Sequence, residues 1–199
     1  KNYLAALFGF SLGLIPLSSK GLETISKQVI LLDAKTSTVL FEKNADERMA
    51  PSSMSKIMTM YQLFEALKDG SLSEIDKFIV SEKAWRKPGS KMFVSVNSRV
   101  KVEDLIRGVI VQSGNDASIV IAEGLAGSEA AFAQELNETA KQLGMNTSNF
   151  TNASGWPDPE HYTTARDLSK LALATINKFP EYYHYYAEKT FTYNGIKQH

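Results

Sequence analysis

One amphipathic helix can be placed in this sequence with little ambiguity, and its inner face carries two polar residues. Its apolar residues recur at helical spacing, at Ile57, Met60, Tyr61, Phe64 and Leu67. One turn earlier, the same stripe continues onto Lys56 and Ser53. We therefore expect a helix that begins just after Pro51, ends near Gly70 and turns both polar side chains toward the interior.

A lysine and a serine on the inner side of a helix suggest nucleophilic catalysis. Burial disfavours the charged form of Lys56, so its pKa falls toward a value at which the neutral amine accepts a proton. The hydroxyl of Ser53 is one turn away, and the free N–H groups at the helix start can stabilise an oxyanion. The other interpretation is a serine N-cap followed by a solvated lysine. Ser98 and Lys101 repeat the spacing, but in a predicted strand their side chains point to opposite faces.

A second group of polar residues, Ser113-Gly114-Asn115, lies between two apolar helical runs at 102–111 and 117–125. It predicts a tight inter-helix loop that holds polar side chains over a neighbouring site. The pattern is short and also suits an ordinary capping loop.

Composition removes several functional classes. The 199 residues are 43% hydrophobic, enough for one main domain, and 22 basic residues balance 22 acidic ones. The formal net charge is zero, so we expect no nucleic-acid partner. The chain has no cysteine and three histidines, none in a spacing typical of zinc sites. We predict no metal and no other cofactor.

The first residues resemble an export signal. A basic start at Lys1 precedes an apolar run from Tyr3 to Leu17, with small residues after it. We predict a signal peptide over residues 1–22 and a catalytic domain over 23–199, in preference to a buried amphipathic helix at the start. The protein is therefore expected in the periplasm or another extracytoplasmic location.

The remaining pattern indicates a mixture of strands and helices. The predicted elements are a hairpin at 28–33 and 37–42, helices that begin at Ser128 and Thr164, a long surface loop over 146–162, and a strand at 190–193.

Several motifs together resemble the low-molecular-mass penicillin-binding D-alanyl-D-alanine carboxypeptidases. The first two active-site motifs of that family look like residues 51–59 and 112–117, the second preceded by Leu105-Ile106-Arg107-Gly108. Further similarity lies at 126–128, 143–145, 164–167 and 191–195, so the resemblance covers roughly residues 28–199. It implies an α/β (α+β) fold of the β-lactamase and DD-peptidase type, an antiparallel sheet packed with a helical subdomain.

The resemblance also implies roles for four residues. Ser53 would attack the carbonyl between the last two D-alanines of a peptidoglycan stem peptide, and Lys56 would take its proton. Ser113 would pass a proton to the leaving amine, and Asn115 would bind Lys56 and the substrate amide. Penicillin and other β-lactams would trap Ser53 as covalent inhibitors.

The third motif of the family, Lys-Thr-Gly on a strand, has no good match. Lys35-Thr36-Ser37 lies in the predicted hairpin turn, and Lys189-Thr190-Phe191 lacks the small third residue. We expect that motif, further strands of the sheet and any peripheral attachment to the inner membrane to lie beyond residue 199.

Two alternatives within the same fold stay open. A serine β-lactamase is disfavoured because Gly114 stands where class A enzymes usually have Asp, and because the region of Glu160 lacks their Glu-x-x-Leu-Asn stretch. A non-catalytic β-lactam or peptidoglycan-binding domain is disfavoured because Ser53 and Lys56 are both present.

Overall fold

The computed structural model describes residues 23–198, and the predicted signal peptide at 1–22 lies outside the described residues. The described strands are β1 (Val29–Leu32), β2 (Val39–Lys43), β3 (Lys77–Ile79), β4 (Arg99–Lys101), β5 (Phe191–Tyr193) and β6 (Ile196–Gln198). The described helices are α1 (Lys56–Lys68), α2 (Glu82–Arg86), α3 (Val102–Ile110), α4 (Asn115–Ala126), α5 (Glu129–Gln142) and α6 (Ala165–Lys178). Short 3₁₀ turns cover Ser52–Ser55 and Tyr183–Ala187.

The described strands form three antiparallel pairs of two strands each, β1–β2, β3–β4 and β5–β6. The first pair confirms the predicted hairpin, and the carboxylate of Asp33 fixes its turn by accepting the backbone N–H groups of Lys35 at 3.0 Å and Thr36 at 2.8 Å. Of Ser98 and Lys101, which repeat the Ser-x-x-Lys spacing, Lys101 lies in β4 as expected, whereas Ser98 directly precedes that strand.

Helix α4 is the centre of the helical part of the molecule. Residues Ile119, Val120, Ile121 and Ala122 are all fully buried, so this part of the helix is enclosed by protein around its whole circumference. It contacts α1, α2, α3 and α5. The first turn of α4 is therefore held rigidly against the first turns of α1, where the predicted site lies.

The predicted helix starts at Ser128 and Thr164 are confirmed. The Ser128 hydroxyl accepts the N–H of Ala131 at 3.1 Å, and the Thr164 hydroxyl accepts the N–H of Asp167 at 3.0 Å. Such caps depend on residues three positions apart, so a sequence pattern is enough to find them.

Residues 146–162 contain no helix or strand, as predicted, and 156–160 are exposed, but four other residues of this predicted surface loop are buried. Phe150, Ala153, Ser154 and His161 are each at most 3% exposed. The loop can be buried because side chains satisfy its backbone, as when the Asn137 amide accepts the N–H of Phe150 at 2.8 Å and donates to its carbonyl at 2.7 Å.

Among residues 23–198, no helix is both long enough and apolar enough to cross a bilayer.

Candidate active site

Ser53 lies in the four-residue 3₁₀ turn that leads into α1, and its side chain is exposed to solvent. The prediction that Ser53 faces the interior is therefore wrong. It extended the helical spacing of the α1 side chains back to Ser53, which lies in the 3₁₀ turn before the regular helix. The preceding Ser52 has a left-handed backbone, with φ of 49°. Exposure leaves the Ser53 hydroxyl open to an incoming substrate, at the positive end of the α1 dipole.

Lys56 is the first residue of α1, and it is only 4% exposed, as predicted. Its Nζ lies 3.2 Å from Ser53 Oγ, 2.9 Å from Asn115 Oδ1 and 2.8 Å from the carbonyl oxygen of Ser154. Burial lowers the pKa of Lys56 from 10.5 to about 8. A substantial fraction of the amine is therefore neutral in mildly alkaline solution.

The neighbours of Lys56 direct the lone pair of its neutral form. A neutral amine has two N–H groups and one lone pair, and the oxygens of Asn115 and Ser154 can only accept hydrogen bonds. When these two oxygens take the two N–H groups, the lone pair is left to face the hydroxyl of Ser53. The arrangement is that of a base aimed at a nucleophile.

The orientation of the Asn115 amide is fixed from its other side. Its Nδ2 donates to the carbonyl oxygen of Pro88 at 3.0 Å, so Oδ1 must point at Lys56. The backbone N–H of Asn115 donates to the carbonyl of Ser90 at 2.8 Å. Asn115 is 8% exposed. Its hydrogen bonds join the 88–90 segment to the amine of Lys56.

Ser113 precedes α4 in the predicted tight loop between α3 and α4. Its backbone is left-handed, with φ of 56°, a conformation that strains a residue other than glycine. Its side chain lines a cavity of about 120 Å³ together with Ser53 and Lys56. The structure thus brings all four predicted site residues together, three around the cavity and Asn115 through Lys56.

Asp116, the residue after Asn115, fixes the path of residues 92–94. Its fully buried carboxylate accepts the backbone N–H groups of Met92 at 2.9 Å, Phe93 at 3.0 Å and Val94 at 3.3 Å. Phe93 has a left-handed φ of 66°, and these hydrogen bonds hold it in that conformation.

Trp156 lies near the side chain of Asn115. A side chain at Gly89 would begin 2.7 Å from Asn115 Nδ2 and 3.3 Å from the Trp156 ring, so the ring stands beside the asparagine. The ring is 38% exposed, and Lys87 Nζ lies 4.4 Å from the centre of one of its rings.

The carbonyl of Ser154 is the site group that the sequence does not indicate. Ser154 and Lys56 are 98 positions apart in the sequence. Because every residue type carries a backbone carbonyl, the identity of residue 154 does not indicate this contact. Within the described 23–198 range, no cluster of three or more histidine, aspartate or glutamate side chains could hold a metal ion.

An exposed serine, a buried amine 3.2 Å from its hydroxyl and an asparagine that fixes the amine form an arrangement in which the serine can act as a nucleophile and the amine as its base. The sequence matches the D-alanyl-D-alanine carboxypeptidase family over residues 17–199. The chain belongs to this family, which confirms the resemblance drawn from its motifs.

Individual relatives agree with that assignment. D-alanyl-D-alanine carboxypeptidase DacA of Haemophilus influenzae is 40% identical over 172 residues, a match that covers 85% of this chain and 44% of the relative. The chain therefore spans less than half the length of this relative.

Solved structures confirm the predicted fold class. The D-alanyl-D-alanine carboxypeptidase DacD from Francisella tularensis superposes with a TM-score of 0.86 at 41% identity, over 89% of this chain and 43% of that one. Penicillin-binding protein 5 from Haemophilus influenzae gives a TM-score of 0.87 at 38% identity, over 90% of this chain and 53% of that one.

Proposed function

We propose that the protein is a serine D-alanyl-D-alanine carboxypeptidase that removes the terminal D-alanine from peptidoglycan stem pentapeptides. The observation that carries the proposal is the environment of Lys56, whose two accepting neighbours leave its lone pair to Ser53. Membership of the carboxypeptidase family supports the choice of reaction and substrate.

In the proposed acylation step, Ser53 Oγ attacks the carbonyl carbon between the last two D-alanines, and its proton passes to Lys56 Nζ. The carbon–nitrogen bond of the terminal D-alanine then breaks. The departing amine takes a proton from Lys56 through the Ser113 hydroxyl, which lines the same cavity. Water next attacks the ester on Ser53, releasing the shortened peptide and restoring the serine hydroxyl.

Asn115 has two tasks in this proposal. Its Oδ1 holds the amine of Lys56 at 2.9 Å, and the second hydrogen on its Nδ2 is available for a carbonyl of the substrate beyond Pro88. This amide therefore couples the position of the base to the position of the peptide.

We further propose that β-lactams acylate Ser53 and that the protein acts outside the cytoplasm, where peptidoglycan lies. The structural similarity to a protein named for penicillin binding supports the first point. The similarity to carboxypeptidases supports the second, and attachment to the inner membrane stays a prediction.

The proposal can be tested by labelling the full-length protein with fluorescent penicillin and by following D-alanine release from a stem pentapeptide. We expect one covalent adduct per chain, located on Ser53 by mass spectrometry, and D-alanine release at a measurable rate. The Ser53→Ala variant should give neither signal while it unfolds at the same urea concentration.

The lifetime of the adduct separates this proposal from the two alternatives. An adduct that persists for minutes fits a carboxypeptidase, whereas turnover of penicillin within seconds would identify a β-lactamase. Penicillin binding without an adduct would leave a non-catalytic binding domain.

A further inference from the structure

The segment 151–156 lies tightly against the turn that carries the nucleophile. The carbonyl of Ala153 accepts the hydroxyl of Thr59 at 2.7 Å, and the next carbonyl, that of Ser154, accepts the amine of Lys56 at 2.8 Å. A Cβ atom on Gly155 would lie 1.7 Å from the carbonyl oxygen of Ser52. The position of the Ser154 oxygen therefore depends on how this segment is fastened to α1 and its leading turn.

His161 is one of these fastenings. Its ring is buried, with 3% exposed, and its Nε2 lies 2.8 Å from the hydroxyl of Ser55, which is fully buried in the turn between Ser53 and Lys56. Its Nδ1 is surrounded by donors of the 151–156 segment: the backbone N–H of Thr151 at 3.2 Å, the Thr151 hydroxyl at 3.2 Å and the Asn152 Nδ2 at 3.3 Å. One ring thus contacts both structures whose relative position sets the site.

The hydrogen bonds assign the tautomer of His161. A backbone N–H can only donate, so the Nδ1 that faces Thr151 must be the accepting nitrogen. The single proton of the neutral ring then lies on Nε2 and is donated to the oxygen of Ser55. Burial lowers the pKa of His161, with a smaller opposing effect of Asp158, which agrees with a neutral ring.

We propose that His161 is a positioning residue of the reaction, whose neutral imidazole ties the 151–156 segment to Ser55 and so holds the Ser154 carbonyl on the amine of Lys56. The proposal rests on the function proposed above. The role is indirect: His161 influences the position of Lys56 through its hydrogen bonds to Ser55 and to Thr151.

Two substitutions separate the two ends of the ring. His161→Asn places an amide oxygen near the position of Nδ1 and can still accept from Thr151, but it does not reach Ser55. His161→Gln places an amide N–H near the position of Nε2 and can still donate to Ser55, but it leaves Thr151 without its acceptor. His161→Ala removes both contacts, and His184→Ala is a matched control because His184 is exposed and bonds only its own turn, at Glu181.

The experiment measures the rate of acylation by penicillin as a function of pH in the full-length protein. We expect His161→Ala to lower the maximal acylation rate by about 10- to 100-fold, because small displacements of a catalytic group carry penalties of that order. The two amide variants should each keep part of the rate, and His184→Ala should match the parent protein.

The pH profile gives a result that a purely structural role would not produce. When the segment loosens, water reaches Lys56, so its pKa should rise from about 8 toward 10.5. The alkaline rise in acylation of His161→Ala should therefore move to higher pH, while the penicillin concentration for half-maximal rate changes little.

Parental acylation by His161→Ala would overturn the proposal, as would a slower rate with an unmoved pH profile. If His161→Ala does not fold, Ser55→Ala decides the question, since it removes only one hydroxyl and should also slow acylation and shift the profile. Failure of the parent protein itself to be acylated would reject the proposed function, an outcome distinct from these.

Discussion

The amine of Lys56 lies 2.9 Å from the amide oxygen of Asn115, although 59 positions separate the two residues. This contact joins the start of α1 to the start of α4, the central buried helix. It orients the base together with the Ser154 carbonyl, and each of these two neighbours can hold one N–H of the neutral amine.

Asn115→Ala tests this contact. With its acceptor lost, Lys56 can rotate and its lone pair no longer faces Ser53 in most molecules. We expect the acylation rate with penicillin to fall by about 100-fold, a loss typical of a misplaced catalytic group. Stopped-flow measurement of adduct formation checks this, with Asn146→Ala, an exposed asparagine outside the cavity, as the control. Acylation within about twofold of the parent would contradict the role of Asn115.

The pKa of Lys56 predicts how acylation depends on pH. Burial lowers this pKa to about 8, so the amine is mostly protonated at pH 7 and mostly neutral at pH 9. Only the neutral form can take the proton of Ser53. We expect the acylation rate to rise with pH and to reach half its maximum near pH 8, measured with fluorescent penicillin in buffers of constant ionic strength. A rate that is constant from pH 6 to pH 10 would rule out Lys56 as the base.

The sequence predicts those features of the site that depend on neighbours along the chain. Ser53 and Lys56 are three positions apart, and the caps at Ser128 and Thr164 likewise involve local hydrogen bonds. Helical periodicity also finds the burial of Lys56. These inferences succeed because one turn of helix sets the geometry.

The contributions of Ser154 and His161 could not be predicted in the same way. Both come from the irregular segment at 151–161, whose path depends on hydrogen bonds with α1 and the turn that precedes it, about a hundred positions earlier. A polar loop of this composition is expected at the surface, and only the tertiary contacts explain why it is buried. The exposure of Ser53 is missed for a related reason, because a 3₁₀ turn changes the direction of the side chain.

Gly155→Ala tests how closely the 151–156 segment fits against the nucleophile turn. The added Cβ would lie 1.7 Å from the carbonyl of Ser52, and Gly155 has a left-handed φ of 75°. We expect the free energy of unfolding to fall by about 3 kcal/mol or more, together with a loss of penicillin acylation. Gly144→Ala is the matched control, since Gly144 has a φ of 71° and nothing within 4 Å of its Cβ position. It should lose only about 1–2 kcal/mol and remain active. Equal losses in the two variants would show that the segment is not held in close contact.

Thr59→Val tests whether the segment is fastened to α1 by its hydrogen bonds as well as by its shape. The Thr59 hydroxyl is buried and donates to the carbonyl of Ala153 at 2.7 Å, so valine keeps the volume but leaves that carbonyl without its donor. We expect a loss of about 1–3 kcal/mol in the free energy of unfolding by urea.

Thr175→Val provides the comparison for Thr59→Val. Thr175 is equally buried, but its hydroxyl donates to the carbonyl of Leu171, which the backbone of α6 already satisfies. Its replacement should lower the free energy of unfolding by less than about 1 kcal/mol and leave acylation unchanged. Because the Ala153 carbonyl adjoins Ser154, Thr59→Val should also slow acylation. A stable, fully active Thr59→Val protein would mean that shape alone holds the Ser154 oxygen on Lys56.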